Sequence, residues 1–265
     1  MSNDEMLRKI QLCEYDILKE LDRICKKHNI KYFLGQGTLL GAAKYKKFIP
    51  WDDDIDLLIP YKELKKLVKV FESDADKKYL LTNCFLEKHF PVAWTKIRNK
   101  DTLSRPVNYK DIPINWGICI DLFPIYPLSD FAPLRKIERF FYRVANKMLY
   151  AEFTKYEDEH GMLARLLEKV PLWLRHFVLR CSIGIMNIHS DKTKFVLVAS
   201  KAVNVVEREM LFGKEAELMF EEQSFPGVSD WDGYLTLYYG DWRADLPPEL
   251  QKGHDLTMGQ IEWKL

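Results

Sequence analysis

GQGTLLGAAKYKKFIPWDDDIDLLIP, residues 35–60, contains a glycine-rich turn, a short predicted helix and an acidic predicted strand. Gly35 and Gly37 allow a turn in which the backbone comes close to a ligand, and residues 38–43 predict a short helix whose free N–H groups would face a phosphate. Asp54 and Asp56 then flank the start of a predicted strand over residues 55–59. Because strand side chains alternate, both carboxylates share one face and the apolar side chains the other. Two such oxygen ligands suit Mg²⁺ or Mn²⁺.

A third carboxylate is expected from GICIDLF, residues 117–123. This segment predicts a strand whose apolar face carries Ile118, Ile120 and Leu122, with Asp121 on the other face. On a neighbouring strand, Asp121 would lie beside Asp54 and Asp56 as a metal ligand or general base. A hydrogen-bonded polar residue at a strand edge is the alternative. An Asp-x-Asp pair alone also occurs in surface turns and in metal-dependent glycosyltransferases.

Composition and charge limit the classes of protein to which this chain can belong. The 265 residues are 47% hydrophobic with a net charge of +1, which indicates a globular protein and no general affinity for nucleic acid. Five cysteines without a C-x-x-C pair argue against a disulfide framework or zinc site and predict reduced, mostly buried thiols. The N-terminal residues lack an apolar signal segment, and no run of eighteen apolar residues occurs, so a cytoplasmic location is expected.

Periodicity predicts an α/β fold, a mixed sheet flanked by helices with a largely helical second lobe. We expect a catalytic core over residues 1–129, and a helical lobe with a C-terminal segment over 130–265 that completes the cleft. A capping box of Ser2 and Glu5 predicts where the first helix begins. The predicted helices are 2–29, 61–71, 131–159, 162–188 and one within 231–242, and the further strands are 31–34, 79–82, 92–98 and 194–199.

Five segments, in this order and spacing, resemble the LicD family of nucleotidyltransferase-fold proteins: GQGTLLGAAK, FIPWDDDIDLLIP, KIRNKDT, GICIDLFP and YLTLYYGDWRADLPPE. The resemblance covers about residues 32–254. It implies a nucleotidyltransferase-type fold and a metal-dependent enzyme that moves phosphocholine from CDP-choline to a sugar hydroxyl and releases CMP. The acceptor would be a cell-surface glycan precursor, teichoic acid or lipo-oligosaccharide. Related animal proteins are fukutin-related phosphoribitol transferases.

The resemblance also implies roles for particular residues. Asp54 and Asp56 match the family's metal-binding motif, and Asp121 matches its third acidic residue. The nucleotide-phosphate turn is matched by Gly37 and Thr38, the basic strand motif by Lys96 and Arg98, and a histidine after the Leu-Pro-Pro segment by His254. Lys96 and Arg98 would neutralise phosphoryl oxygens, although an ordinary exposed strand face is the alternative.

A choline group would need aromatic faces, because a quaternary ammonium cannot form conventional hydrogen bonds. The candidates are Trp116, Trp231, Tyr238 and Trp242, and for each of them a place in the core is the favoured alternative. Residues 170–188, VPLWLRHFVLRCSIGIMNI, are apolar yet contain Arg175, His176 and Arg180. They could form a basic face on the inner face of the cytoplasmic membrane, next to a lipid-linked acceptor, or a buried helix of the second lobe.

Three other functions stay open at this stage. A donor carrying ribitol or glycerol phosphate would use the same carboxylates. A metal-dependent glycosyltransferase would use the Asp-x-Asp pair on a nucleotide sugar, without needing the glycine turn. A non-catalytic binding module is disfavoured by the presence of all three carboxylates.

Overall fold

A computed structural model of the chain describes residues 2–106, 111–154, 162–251, 253 and 259–263. In these residues the helices are α1 (Asn3–His28), α2 (Gln36–Tyr45), α3 (Tyr61–Asp74), α4 (Ala132–Thr154), α5 (Met162–Glu168), α6 (Leu172–Met186), α7 (Arg208–Phe212) and α8 (Trp231–Tyr239). The strands are β1 (Phe33–Leu34), β2 (Asp56–Pro60), β3 (Tyr79–Thr82), β4 (Thr95–Asn99), β5 (Thr102–Pro106), β6 (Cys119–Leu128), β7 (Phe195–Val198), β8 (Asn204–Glu207), β9 (Ala216–Phe220), β10 (Gln223–Gly227) and β11 (Gly259–Trp263). The predicted α/β class is confirmed.

One mixed sheet of nine strands forms the centre of the described structure. Its main path is β3-β4-β6-β2-β1-β10-β9, and β7 and β8 extend from β6. β2 is parallel to β6, whereas β4 and β7 are antiparallel to it. Chain on both sides of Ser129 thus contributes to the same sheet, and the division into two domains there stays a prediction.

The first helix begins as predicted. Glu5 N donates to Ser2 Oγ at 3.2 Å and Ser2 N donates to Glu5 Oε2 at 2.7 Å, which completes the capping box. The C-cap of α1 is Asn29, whose backbone lies in the left-handed region with a φ of 51°. The apolar stripe of α1, which includes Ile17, Leu18, Leu21 and Ile24, is almost fully buried. At about 1.5–3 kcal/mol for each such side chain, α1 is an integral part of the core.

The strands differ from the sequence prediction in ways that reflect long-range pairing. β6 continues through Pro124 and Pro127, because Pro124 lies where the pairing with β4 ends and the pairing with β7 begins. β5 falls inside a stretch without a strand signal and forms a separate two-stranded sheet with β11. In the second half, β8, β9 and β10 accompany the one strand that was predicted.

The prediction of one helix over residues 162–188 is wrong. α5 and α6 are separate helices, and Pro171 is the N-cap of α6. A proline has no backbone N–H and its ring clashes with the preceding turn, so α5 cannot continue through it. α4 and α6 are antiparallel neighbours, since Glu138 near the start of α4 contacts His189 after α6, and Glu152 near its end contacts Arg175.

The predicted basic face of residues 170–188 does not include Arg175. This side chain is 1% exposed. Its guanidinium donates to the carbonyls of Val170 and Glu168, at 2.9 and 2.8 Å, and to Glu152 Oε2 at 3.2 Å. These carbonyls at the end of α5 and the buried carboxylate of Glu152 stabilise the Arg175 guanidinium in its buried position.

The five cysteines are free thiols, as predicted. The expectation that they are mostly buried is wrong, because Cys25 and Cys84 are buried, Cys13 and Cys119 are half-buried and Cys181 is exposed. Among the described residues, we find no helix with the length and apolar character needed to span a bilayer.

Candidate active site

Three neighbouring strands bring three charged side chains into one row. Asp56 of β2 lies beside Asp121 of β6 in the parallel ladder, and Asp121 in turn lies opposite Lys96 of β4. These residues line a cavity of about 540 Å³, together with Asp54, which immediately precedes β2. The three carboxylates that the sequence pattern placed on matching strand faces therefore meet in one cavity.

Asp121 is held by two donors. Lys96 Nζ donates to Asp121 Oδ1, and Trp94 Nε1 donates to Oδ2 at 3.1 Å. Burial lowers the pKa of Lys96, but the Asp121 carboxylate and the Cys119 thiol more than offset this effect, so the pKa is raised. Lys96 is therefore a cation that neutralises Asp121 in this structure. Trp94, which sequence reasoning did not single out, fixes the second oxygen.

Asp56 lies in a concentration of negative charge. Burial raises the pKa of Asp56 well above its ordinary value, and the carboxylates of Asp54, Asp121 and Asp52 raise it further, while Lys96 acts in the opposite sense. The part of this pKa shift that is due to charge reflects more carboxylates than cations near Asp56. A divalent cation at this position would relieve the repulsion.

The residues present fit a magnesium site with two protein carboxylates. Mg²⁺ is commonly held by one or two carboxylates and by substrate phosphates. In the described part of the chain, no three His, Cys, Asp or Glu side chains are gathered around one point so as to hold a metal. Both oxygens of Asp121 have other partners. Asp54 and Asp56, which share the cavity, are the residues that could bind the ion.

The glycine turn is tied to the acidic strand by two hydrogen bonds. Gly35 N donates to Asp56 O at 2.9 Å, and Asp56 N donates to Thr38 Oγ1 at 2.8 Å. Thr38 is buried, and neither it nor Gly37 is among the described residues that line the cavity. Gln36 does line it, with a φ of 43° that is uncommon for a residue other than glycine. Phosphate binding by Gly37 and Thr38 stays a prediction.

Arg98 lies in the cavity wall rather than on an exposed strand face. It is 4% exposed, and its Nη1 donates to Gly117 O at 3.1 Å. The guanidinium carbon is 5.9 Å from the ring centroids of both Phe90 and Trp116. Arg98 Nε is buried without a hydrogen-bond partner. An unsatisfied guanidinium N–H in a cavity wall is suited to an anionic oxygen.

Glu14 of α1 is a cavity residue that the sequence prediction missed. The side chain is 3% exposed, and its Oε2 has no hydrogen-bond partner. Burial, followed by the charge of Asp54, raises the pKa of Glu14 well above its ordinary value. A signal was present, because Glu14 interrupts the apolar stripe between Ile10 and Ile17. Lys201, in the turn between β7 and β8, also lines the cavity.

Of the four aromatic residues predicted to contact choline, Trp116 lines the cavity and the other three pack around α8. Trp231 and Trp242 are edge to face, with centroids 5.8 Å apart, and Tyr238 stacks on Tyr234 at 4.5 Å. His254 lies outside the described residues. The aromatic residues of the cavity are Trp94, Trp116, Phe123, Tyr150, Phe153 and Tyr239.

Comparison with known proteins identifies the family. Residues 29–161, half of the chain, match the family described as LicD/FKTN/FKRP, nucleotidyltransferase domain. Over 96% of its length the chain is 26% identical to the lipopolysaccharide cholinephosphotransferase LicD of Haemophilus influenzae, and it covers 98% of that protein. It is also 34% identical, over 79 residues or 26% of the chain, to an uncharacterised protein of Rickettsia prowazekii, of which it covers 30%. Since the matched half includes the glycine turn, both acidic strands and β4, the chain belongs to the LicD family of nucleotidyltransferase-domain proteins.

Proposed function

We propose that this protein is an enzyme that transfers phosphocholine from CDP-choline to a sugar hydroxyl of a cell-surface glycan precursor and releases CMP. The observation that carries the proposal is the row of Asp56, Asp121 and Lys96 across three strands of the cavity. The Haemophilus relative, a lipopolysaccharide cholinephosphotransferase, supports both the transferred group and a glycan acceptor.

Phosphoryl transfer from a diphosphate needs charge neutralisation and alignment more than covalent help. Asp54 and Asp56 would hold Mg²⁺, which when bound neutralises diphosphate oxygens. Arg98, on the same strand as Lys96, would offer its unpartnered Nε to a phosphate oxygen. Lys96 supplies a second cation by exchanging Asp121 Oδ1 for a substrate oxygen. These residues bind and orient the group that is transferred.

Asp121 would take the proton from the acceptor hydroxyl. Trp94 keeps hold of Oδ2, so the carboxylate stays oriented when Lys96 turns to the phosphate. Oδ1 is then an acceptor that faces the cavity. A hydroxyl that donates to this oxygen is placed beside the phosphoryl group, as an in-line attack requires.

The lining of the cavity favours choline over ribitol or glycerol as the transferred alcohol. Six aromatic side chains and the buried carboxylate of Glu14 line it. Aromatic faces attract a quaternary ammonium, and a cation bound nearby would favour the ionised form of Glu14, whereas an alditol would require several hydrogen-bonding partners for its hydroxyls. The proposal includes a cytoplasmic location at the inner face of the membrane and a lipid-linked acceptor, either a lipopolysaccharide or a teichoic acid precursor.

The decisive experiment measures CMP release from CDP-choline with Mg²⁺ and candidate acceptors, followed by mass analysis of the product. Asp56→Asn should lower the rate by about a thousandfold or more, because it removes a carboxylate from the reacting centre. Asp16→Asn, at an exposed position of α1, is the matched control and should keep the parent rate. Equal rates for the two variants would refute the assignment of Asp56.

A donor panel separates the alternatives. Calorimetry with CDP-choline, CDP-ribitol, CDP-glycerol and a UDP-sugar should show the tightest binding for CDP-choline. Preferential binding of a CDP-alditol would change the transferred alcohol but keep the reaction. Binding of the UDP-sugar alone would replace the proposal with a glycosyltransferase.

A further inference from the structure

The outer face of the α4–α6 hairpin exposes an unusual amount of apolar surface. Of the eighteen large apolar side chains that are exposed in the described residues, ten lie between residues 131 and 188. Trp173 is 69% exposed, Phe140 62% and Ile188 81%. An exposed apolar patch of this kind on a globular protein marks an interaction surface.

These side chains form stripes along both helices. On α4, Leu134, Ile137 and Phe141 follow helical spacing, and on α6 Trp173 and Phe177 are one turn apart. Leu134 and Phe141 are four and three residues from Glu138, which contacts His189 beyond the end of α6. They are therefore on the flank of α4 next to the end of α6, where Ile185 and Ile188 are exposed, and Trp173 and Phe177 continue the apolar surface toward the start of α6.

The exposed charges on the two helices have one sign. Among the described residues of α4 and α6, the charged side chains that are exposed are Lys136, Arg143, Lys147 and Arg180. The acidic residues of α4, Glu138 and Glu152, are buried and contact His189 and Arg175. Exposed aromatic and aliphatic stripes flanked by lysine and arginine are the composition of a helix that lies in an anionic membrane interface.

The same helices lead to the cavity. Tyr150 and Phe153, on the last turns of α4, line the wall of the cavity. Phe85 and Leu86 extend the exposed surface beside α6, since the Arg180 guanidinium carbon lies 4.8 Å from the Phe85 ring centroid. A bilayer on this surface would lie next to the cavity, where the headgroup of a membrane-anchored molecule could enter.

We propose that the outer face of α4 and α6 docks the protein onto an anionic lipid bilayer. The apolar stripes enter the boundary between headgroups and acyl chains, and Lys136, Arg143, Lys147 and Arg180 contact anionic headgroups. The inference rests on this surface alone and does not depend on the donor proposed for the cavity. It accounts for exposed apolar residues that would otherwise face water.

Vesicle co-sedimentation tests the proposal with the full chain. One set of vesicles contains digalactosyldiacylglycerol alone, and the other contains equal parts of this lipid and phosphatidylglycerol. Neither contains choline, so binding of a headgroup in the cavity cannot imitate docking. We expect the protein to sediment with the anionic vesicles and to be released by salt.

Two variants and one control assign the binding to this surface. Lys136→Glu/Arg143→Glu/Lys147→Glu should weaken binding to anionic vesicles by about a hundredfold or more, since each basic residue contributes about fivefold. Trp173→Ser/Phe177→Ser should weaken it by about tenfold or more. Leu12→Ser/Met219→Ser alters exposed apolar residues elsewhere and should bind as the parent does.

Two outcomes would overturn the proposal. One is equal binding of the parent and both surface variants. The other is a stable dimer in the absence of lipid that Trp173→Ser/Phe177→Ser dissociates, which would make the face an interface between two copies. Binding of CDP-choline, measured in parallel, should be unchanged in the surface variants. If the parent protein does not bind CDP-choline, the proposed reaction is refuted, but the result for membrane docking is unaffected.

Discussion

At the scale of single residues, the ion pair between Lys96 and Asp121 couples stability to function. Both side chains lie largely inside the cavity wall, with side-chain exposures of 20% and 16%. Because each charge is partly removed from water, each needs the other while no substrate is present. A substrate phosphate would compete with Asp121 for Lys96.

Lys96→Met should destabilise the fold by about 2 kcal/mol, because Asp121 loses its cationic partner. In Lys96→Met/Asp121→Asn much of that stability should return, while CMP release stays low. Urea unfolding of both single variants and the double variant measures the coupling. Lys88→Met, at an exposed lysine, is the control. Strictly additive effects would show that the two residues do not interact.

Glu14 should make stability depend on pH. Burial, then the neighbouring Asp54, raises its pKa in the native protein well above the ordinary value. The unfolded chain loses this proton near pH ~4.3 while the native protein keeps it, so rising pH above that value favours unfolding until native Glu14 ionises. Glu14→Gln lacks this cost.

Glu14→Gln should therefore gain stability over the parent as pH rises from about 4.3, by up to about 1.4 kcal/mol for each pH unit. Urea unfolding in the presence of a chelator, over a series of pH values, measures the difference. A difference that stays constant with pH, or that shrinks as pH rises, would contradict the account. Glu72→Gln, at an exposed acidic residue of α3, is the control.

At the scale of elements, α2 and β2 form one unit through Thr38. The Thr38 hydroxyl accepts the backbone N–H of Asp56, and Gly35 N donates to the carbonyl of the same residue. Space at Gly35 is limited, since a Cβ there would lie 2.8 Å from Leu58 Cγ. The glycine turn thus fixes the backbone of the acidic strand, independently of any role in phosphate binding.

Thr38→Val keeps the shape of the side chain but leaves the N–H of Asp56 without its acceptor. We expect a loss of about 1–3 kcal/mol in stability and a lower rate of CMP release, because Asp56 is displaced. Thr38→Ser retains a hydroxyl and should lose much less of both. Urea unfolding and CMP release are measured on the same preparations of both variants. Equal stability and equal rates for Thr38→Val and Thr38→Ser would show that the hydrogen bond to Asp56 is not the cause of the loss.

At the scale of the whole molecule, the core extends beyond the segment that matches the family. α1 lies before residue 29, yet its buried stripe joins the same hydrophobic core and it contributes Ile10 and Glu14 to the cavity. Arg8 of this helix also forms an ion pair with Glu221 in the turn after β9, at 2.7 Å. Residues on both sides of the matched segment are thus parts of one folded structure.

The order in which the cysteine thiols react tests this packing. Burial raises the pKa of Cys84 to about 12 and raises that of Cys25, whereas Cys181 is exposed on α6. Because the thiolate is the reactive form, Cys181 should be alkylated first in the native protein, and Cys25 and Cys84 only after unfolding. Mass spectrometry of alkylated peptides over time, with and without urea, gives the order. Native labelling of Cys84 at the rate of Cys181 would contradict the packing.

Patterns along the chain were enough to predict the local parts of the site. The alternation of side chains in two short strands predicted that Asp54, Asp56 and Asp121 lie on matching strand faces. The spacing of residues predicted the glycine turn and the Ser2 capping box. These features depend on residues a few positions apart, where steric rules act directly. The segments that resemble the LicD family are local in the same sense.

Contacts between distant parts of the chain determine which of these features come together. Only in the folded chain does Lys96 pair with Asp121, Glu14 enter the cavity from α1, and Arg175 turn inward to Glu152. Trp231, Tyr238 and Trp242 pack around α8, while Tyr150 and Phe153 supply aromatic faces from α4. Periodicity states which side of an element is apolar, but the partner that covers it depends on contacts between residues far apart in the chain, which no local pattern specifies.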